Sequence, residues 1–310
     1  MNICIIDSKQ FITDEKLIEP LYKLGNVSIY DGIPESLDET VRRAKDADII
    51  LFALMQFTNE IIDNLPKLKV LQFIGTGVWN FVDAEYANKK GIKVLNIEGY
   101  GNNAVAEFAL SCVFSLARKI TIADRRLKER TWASEELEGI EIEGSVFGVV
   151  GTGNIGSIVA RKAYLLGANV IACDIYESDE LKSKYGIKYV SLNEIFEKSD
   201  ILSLHMKATK ETEKIIGKDL LYRMKKGSLF INVARAELVD NKALYELLKS
   251  GRIGGAAIDV YESEPPMDYS LAELNNVIAT PHIGFYTKKA NDNSIRLSVA
   301  SVLNDLDVKS

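Results

Sequence analysis

A chain of 310 residues is longer than one hydrophobic core usually grows, so two domains are expected; 47% apolar and 26% charged residues exclude a disordered chain. With 38 Lys and Arg against 44 Asp and Glu, the net charge of -6 leaves no basic footprint for nucleic acid. No apolar run approaches the roughly 18–20 residues of a membrane span, and Met1-Asn2-Ile3-Cys4 lacks the basic start of a signal peptide. Three widely spaced cysteines, Cys4, Cys112 and Cys173, sit in apolar stretches and suit small core residues in a reducing cytoplasm. The only histidines are His205 and His282, and no HxxxH or CxxC spacing exists, so no metal site is expected.

In chain order, residues 3–6 form a short β-branched strand and residues 14–24 a helical pattern. Further strands are expected at 27–30, 48–52 and 70–74, the last ending at Gly75-Thr76-Gly77, and residues 93–96 close this first unit. Residues 103–118 are helical, with apolar side chains at Val105, Phe108, Ala109, Cys112, Val113 and Leu116. A polar helix with a solvated face follows at about 121–130. The second alternation begins at Ser145, with strands at 146–150, 169–173, 201–204, 229–233, 255–259 and 277–279. Helices are expected at 155–166, 192–198 and 242–249. Short continuous apolar strands joined by helical crossovers describe an α/β, doubly wound parallel sheet covered on both faces. Residues 288–306 are again helical, and periodicity does not say which unit they cover.

The strand at 146–150 runs into Gly151-Thr152-Gly153-Asn154-Ile155-Gly156 and then into a helix. Glycine alone is a weak signal; strand before, helix after and an acid closing the next strand make it a dinucleotide fingerprint. Gly151 permits the tight turn, Gly153 the approach of a pyrophosphate, and Gly156 close helix–strand packing. The amides of Asn154 and Ile155 then face the phosphates from a helix N-terminus. Asp174 stands where a carboxylate accepts a ribose hydroxyl, and no arginine in Ile175-Tyr176-Glu177-Ser178 could receive a 2′-phosphate, so the expected cofactor is NAD.

Three later strand ends carry reactive side chains: Arg235 after Asn232-Val233-Ala234, Glu264 within Asp259-Val260-Tyr261-Glu262-Ser263-Glu264-Pro265, and His282 within Thr280-Pro281-His282-Ile283-Gly284. A guanidinium can hold a substrate carboxylate and polarise the neighbouring carbonyl. A protonated imidazole can give its proton to the oxygen as hydride reaches carbon. A carboxylate on the other ring nitrogen fixes the tautomer and favours the protonated ring. Glu262 is the less suitable of the two acids. Together these groups suit the reduction of a 2-oxo acid.

These four motifs, at 151–156, 232–235, 259–265 and 280–284, have the order and approximate spacing of the NAD-dependent D-isomer-specific 2-hydroxyacid dehydrogenases, which the chain resembles over nearly its whole length. The resemblance implies that Arg235 binds substrate, Glu264 partners the histidine and His282 is the general acid/base. It assigns Asp259, with the backbone of Val233, Ala234 and Arg235, to the nicotinamide carboxamide. Ile175, His205, Thr212, His282 and Gly284 complete the residues around the cofactor. It implies two Rossmann-like domains: a split, flavodoxin-like catalytic domain from residues 1–100 and a C-terminal helix at 284–310, with a nucleotide domain at 101–283 inserted between. A homodimer through the nucleotide domain is also implied.

The substrate side departs from the family. The loop Gly75-Thr76-Gly77-Val78-Trp79-Asn80-Phe81-Val82-Asp83 reads one residue longer than the family's and carries a tryptophan; the amides of Thr76, Gly77 and Val78 are its expected donors to the substrate carboxylate. Phe73 stands where similar phosphoglycerate dehydrogenases have an arginine, and Ala53-Leu54-Met55 replaces polar groups. Burying a phosphate without cations is costly, so a small unphosphorylated acid is expected, hydroxypyruvate or glyoxylate first. The segment at 96–107 is most similar to glycerate dehydrogenases. Lys207 replaces a common proline near the adenosine and softens the preference for NAD. A chain ending near residue 310 is expected to carry no regulatory domain. Two alternatives share the three side chains: a phosphoglycerate- or phosphite-type dehydrogenase, and an NAD(H)-sensing, corepressor-like binding protein.

Overall fold

The β-branched runs form parallel strands throughout the computed structural model, which describes residues 1–307; the last three residues of the expected C-terminal segment, 308–310, lie outside the described residues. The chain divides into two units. One runs from Met1 to Gly101 and resumes at Tyr286; the other spans Asn102–Phe285.

In the first unit, β1 (Asn2–Ile5), β2 (Asn26–Ile29), β3 (Ile49–Phe52), β4 (Val70–Phe73) and β5 (Lys93–Leu95) form an all-parallel sheet in the order β2-β1-β3-β4-β5. Side chains alternate between its two faces. Cys4, Ile50, Phe52, Leu71 and Phe73 enter one core, and Ile3, Ile5, Ile49, Leu51 and Val70 the other. The second core is closed by Ile295, Val299, Val302 and Leu303 of the C-terminal helix Lys288–Asp305, so that helix covers the first unit. Its start is capped by Thr287, whose side chain accepts from the amide of Ala290.

Residues 14–24 are not one helix. A 3₁₀ turn at Glu15–Leu17 is followed by a single-turn helix at Glu19–Tyr22. Pro20 has no amide hydrogen, and in a continuous helix its ring would collide with the carbonyl of Lys16. Short helices at Leu37–Ala44, Asn59–Asp63 and Ala84–Lys89 were not expected, and the side chains of Ser36, Thr58 and Asp83 cap them.

Where β1 ends, between its neighbours β2 and β3, the chain order of the sheet reverses, and there Asp7 is fully buried. Its carboxylate accepts from the amides of Ala53 (2.9 Å), Leu54 (2.8 Å) and Met55 (2.8 Å), all just past β3. Burial raises the Asp7 pKa, and the three amides only partly offset that rise.

The second unit is a seven-stranded parallel sheet of β6 (Val146–Val150), β7 (Asn169–Cys173), β8 (Lys188–Tyr189), β9 (Ile201–Leu204), β10 (Leu229–Asn232), β11 (Gly255–Ile258) and β12 (Val277–Ala279). The spatial order is β12-β11-β10-β9-β6-β7-β8. It reverses at β6 and β9, the crevice where such sheets bind ligands beyond the carboxyl ends of their strands. Helix Asn102–Ala117 covers one face through Ala106, Ala109, Val113 and Leu116, beside helix Asn154–Leu165. Ile195, Phe196, Leu221, Leu244 and Leu247 cover the other. The polar helix forms at Ile120–Lys128 and has no buried residue. Among the described residues, no helix is long and apolar enough to cross a membrane.

Candidate active site

The site begins where β6 meets its glycines. Gly151 has φ +89°, and a Cβ there would lie 2.6–2.8 Å from the backbone of His205 and Met206. A Cβ on Gly156 would lie 1.8 Å from the carbonyl oxygen of Gly151, so helix Asn154–Leu165 reaches its strand only because that atom is missing. Gly153 is different: a Cβ there would meet no protein atom within 4 Å. Protein packing does not demand glycine at 153, whereas a pyrophosphate pressed against that backbone would. The helix starts at Gly153 with no side-chain cap, which leaves its first amides for an anion.

Asp174, half-buried at the end of β7, accepts from the amides of Thr152 (2.5 Å) and Tyr176 (3.0 Å). Beside it Ile175 and Tyr176 are 88% and 82% exposed, an unusual cost for apolar side chains that an adenine ring would relieve. Thr212 closes the turn after β9: its hydroxyl oxygen accepts from the amide of Thr209 (2.7 Å), and its hydroxyl donates to the carbonyl of Lys207 (3.0 Å). These features fit a dinucleotide.

His205 follows β9. Its Nε2 lies 2.8 Å from the Ser203 hydroxyl, its amide donates to Val150, and burial holds its pKa down at about 3. The ring is therefore neutral near pH 7 and is no proton donor there. Because its native pKa lies below the ordinary 6.5, the unfolded chain binds more protons between pH 6.5 and 3, and stability falls as pH drops through that window. His205→Asn is expected to shrink the stability loss between pH 7 and pH 5 by about 1–2 kcal/mol, measured by urea unfolding at both pH values; an unchanged loss would show that His205 titrates normally.

At the end of β10, buried Asn232 shapes the turn that presents Arg235. Its Oδ1 accepts from the amide of Ala234 (3.1 Å), and its Nδ2 donates to the carbonyl of Arg235 (2.9 Å). The half-buried guanidinium donates once, to the carbonyl of Ala234 (2.7 Å); its other N–H groups have no partner among the described residues. Val233 is buried beneath this turn.

After β11, Asp259 is 2% exposed. Its Oδ1 accepts from the Thr280 hydroxyl (2.6 Å) and the amide of Ile283 (2.9 Å), and its Oδ2 from the amide of Gly284 (2.8 Å). Burial pushes its pKa up, and these three donors with the charge of His282 only partly restore it. A Cβ on Gly284 would press on Asp259 Oδ2 at 2.9 Å. Asp259 thus closes the turn on which His282 sits with φ +52°, a left-handed conformation that costs most residues about 1–2 kcal/mol.

Glu264 completes the arrangement. Its Oε2 lies 2.7 Å from His282 Nδ1, and its Oε1 accepts from the amide of Tyr261 at 3.2 Å. Burial raises the Glu264 pKa, but the hydrogen bond and charge of His282, the Tyr261 amide and the charge of Arg235 together bring it below the ordinary carboxylate value. An ionised Glu264 accepts from Nδ1–H and so leaves Nε2 as the working nitrogen. Glu262 is occupied by Asn241, whose Nδ2 donates to it at 3.1 Å.

In the first unit, Gly77 has φ +92° and leads into a 3₁₀ turn at Val78–Asn80, on which Trp79 is 62% exposed. The Thr76 hydroxyl donates to Ile97 (2.9 Å). The amides of Thr76, Gly77 and Val78 have no acceptor among the described backbone and side-chain atoms. The second unit therefore brings Arg235, Asp259, Glu264 and His282 to adjoining strand ends, while the three amides belong to the first. Sequence reasoning missed Asn232 and Thr280 as the residues that hold the arginine and histidine turns; a polar residue ending an apolar strand was the available signal for the former.

Residues 110–284 match the family model for the NAD-binding domain of D-isomer specific 2-hydroxyacid dehydrogenases. The chain is 38% identical over 287 residues to a D-3-phosphoglycerate dehydrogenase of Methanocaldococcus jannaschii, covering 91% of this chain and 54% of that protein. It thus spans about half the length of that relative. It is 37% identical over 257 residues to a hydroxypyruvate reductase of Thermotoga maritima, covering 82% and 83% of the two chains. Its fold is similar to the crystal structure of D-lactate dehydrogenase from Aquifex aeolicus complexed with NAD and lactic acid (TM-score 0.85, 29% identity, 99% of this chain and 96% of that one).

Proposed function

Because this chain belongs to the D-isomer specific 2-hydroxyacid dehydrogenase family, we propose that it interconverts a small, unphosphorylated 2-oxo acid and its D-2-hydroxy acid with NAD. The observation that carries this reading is the 2.7 Å contact between His282 Nδ1 and Glu264 Oε2, with the charge of Arg235 reaching the same carboxylate.

A dinucleotide held by its pyrophosphate at the glycine turn would supply or accept, through its nicotinamide, the hydride at the substrate's C2. Arg235 holds the substrate carboxylate with paired N–H donors and draws electron density from the neighbouring carbonyl. In reduction His282 passes a proton from Nε2 to the C2 oxygen, and in oxidation it takes that proton back. Glu264 keeps the ring oriented and offsets the positive charge of its protonated form. Asn232 and Asp259 hold the two turns, so neither the arginine nor the histidine must be ordered when substrate arrives.

Hydroxypyruvate and glyoxylate are the first candidates. A phosphate would find no cation at Phe73, which is buried, and the amides of residues 53–55 are already committed to Asp7. The Asp174 carboxylate supports NAD over NADP. A homodimer is supported by apolar side chains left in solvent on helices that pack together in the second unit, including Phe114, Ile120, Leu127 and Leu165; light scattering would then give twice the chain mass.

NADH and NADPH oxidation across glyoxylate, hydroxypyruvate, pyruvate and phosphohydroxypyruvate tests the reading. Turnover of an unphosphorylated acid, faster with NADH, is expected. A preference for the phosphorylated acid would make the chain phosphoglycerate-type, and negligible turnover with every acid would leave a dinucleotide-sensing protein.

A further inference from the structure

The Asp174 carboxylate is not free to turn. Oδ2 accepts both the amide (2.5 Å) and the hydroxyl (3.2 Å) of Thr152, and Oδ1 accepts the amide of Tyr176 (3.0 Å). A hydroxyl has one proton and a carboxylate oxygen can only accept, so the Thr152 proton is spent on Asp174. The Tyr189 hydroxyl, 2.8 Å from Thr152 Oγ1, must therefore donate to that oxygen, while it accepts the amide of Ser178 at 2.9 Å. The donors run in one direction, from the Ser178 amide through Tyr189 and Thr152 to the carboxylate, and such rows polarise one another. Thr152 is nearly buried, and half-buried Tyr189 ends β8, whose register on β7 pairs it with Ala172, two residues before Asp174. Three of the roughly four lone-pair sites of Asp174 are thereby filled by the protein, leaving about one for a ligand. That site can take a hydroxyl proton, and it repels an anion.

We propose that Tyr189 and Thr152 are positioning residues for the ribose end of the cofactor: by pinning Asp174 they set the preference for an unmodified 2′-hydroxyl over a 2′-phosphate. This rests on the reading that Asp174 receives the ribose. Loss of either hydroxyl lets the carboxylate swing, which weakens its bond to the ribose and removes a fixed obstacle to the phosphate.

The test is fluorescence titration of the full chain with NADH and NADPH, together with kcat at saturating cofactor. Tyr189→Phe keeps the ring, Thr152→Val keeps the shape without the hydroxyl, and Thr152→Ser keeps the hydroxyl. Tyr189→Phe and Thr152→Val are each expected to raise the NADH Kd about three- to tenfold, with the NADPH Kd moving less and kcat within about twofold. Thr152→Ser is expected to stay within about twofold of the parent, which a role in packing alone would not produce. Asp174→Ala tests the premise and is expected to weaken NADH more than either. If Asp174→Ala binds NADH normally, the ribose assignment and the proposal fall together. If Asp174→Ala weakens NADH while Tyr189→Phe and Thr152→Val keep the parental ratio of the two constants, the proposal alone is overturned.

Discussion

Replacing His282 with asparagine is expected to lower kcat for 2-oxo acid reduction about 10²- to 10⁴-fold, with the NADH Kd within about twofold of the parent. Asparagine is the informative choice because of the backbone. His282 has φ +52°, and asparagine tolerates that region where alanine does not. The Asp259 cage around Thr280, Ile283 and Gly284 does not use the imidazole, so the turn should persist. His282→Ala would confuse lost proton transfer with a disturbed turn, whereas His282→Asn isolates the former. Glu264→Gln should cost less, because an amide can still orient the ring. It removes the anion that offsets the charge of a protonated ring, so kcat for reduction should still fall. The Glu264 pKa is depressed in the folded protein, so its contribution to stability is complete above the ordinary carboxylate value of 4.5 and fades only as pH falls through the lower, native one. Steady-state rates for the three proteins check the catalytic order, and urea unfolding of the parent and Glu264→Gln between about pH 3 and 6 checks the stability contribution, whose loss on acidification should be smaller in the glutamine variant. Near-parental turnover in His282→Asn would remove the histidine from the chemistry.

The second large effect is at Arg235. Its side chain makes one internal hydrogen bond, to Ala234, and its turn is held by Asn232, so the fold has little need of the guanidinium. A substrate carboxylate has every need of it. Arg235→Ala should lose about 2–5 kcal/mol of binding to the charged substrate, roughly 30- to 5,000-fold in kcat/KM, with unchanged NADH affinity and melting temperature. Arg235→Lys should recover part of the loss, since it returns the charge without the paired donors. Equal activity of the lysine variant and the parent would show that a point charge suffices and that no bidentate pair forms.

Much of this site was legible because its residue types are forced by atoms nearby. Gly151 and Gly156 cannot carry a Cβ for steric reasons that any strand–turn–helix of this kind shares, and Gly153 is glycine where the protein itself leaves room. Arg235, Glu264 and His282 could be read from their positions after apolar strands. What could not be read depends on contacts between distant stretches. Thr152 and Tyr189 are 37 residues apart, and nothing local announces that their hydroxyls meet. Asp259 was expected at the cofactor, yet periodicity is silent on its bonds to residues 280–284, which also position the histidine. The same holds for the fold. Helices as short as Asn59–Asp63 and Ala84–Lys89 span too few turns to show a period, and only their caps, Thr58 and Asp83, mark them. The helical pattern of Lys288–Asp305 cannot say what the helix packs against; the partner is the core around Ile3, Ile49 and Val70.

The most direct measurement is a crystal structure of the protein with NADH and oxamate, a 2-oxo acid mimic that is not reduced. His282 Nε2 is expected within about 2.6–3.2 Å of the C2 oxygen, with Arg235 paired to the carboxylate and Glu264 still on Nδ1. A bound oxamate beside the nicotinamide with the His282 ring beyond hydrogen-bond reach of that oxygen would contradict the role of this histidine as the proton carrier.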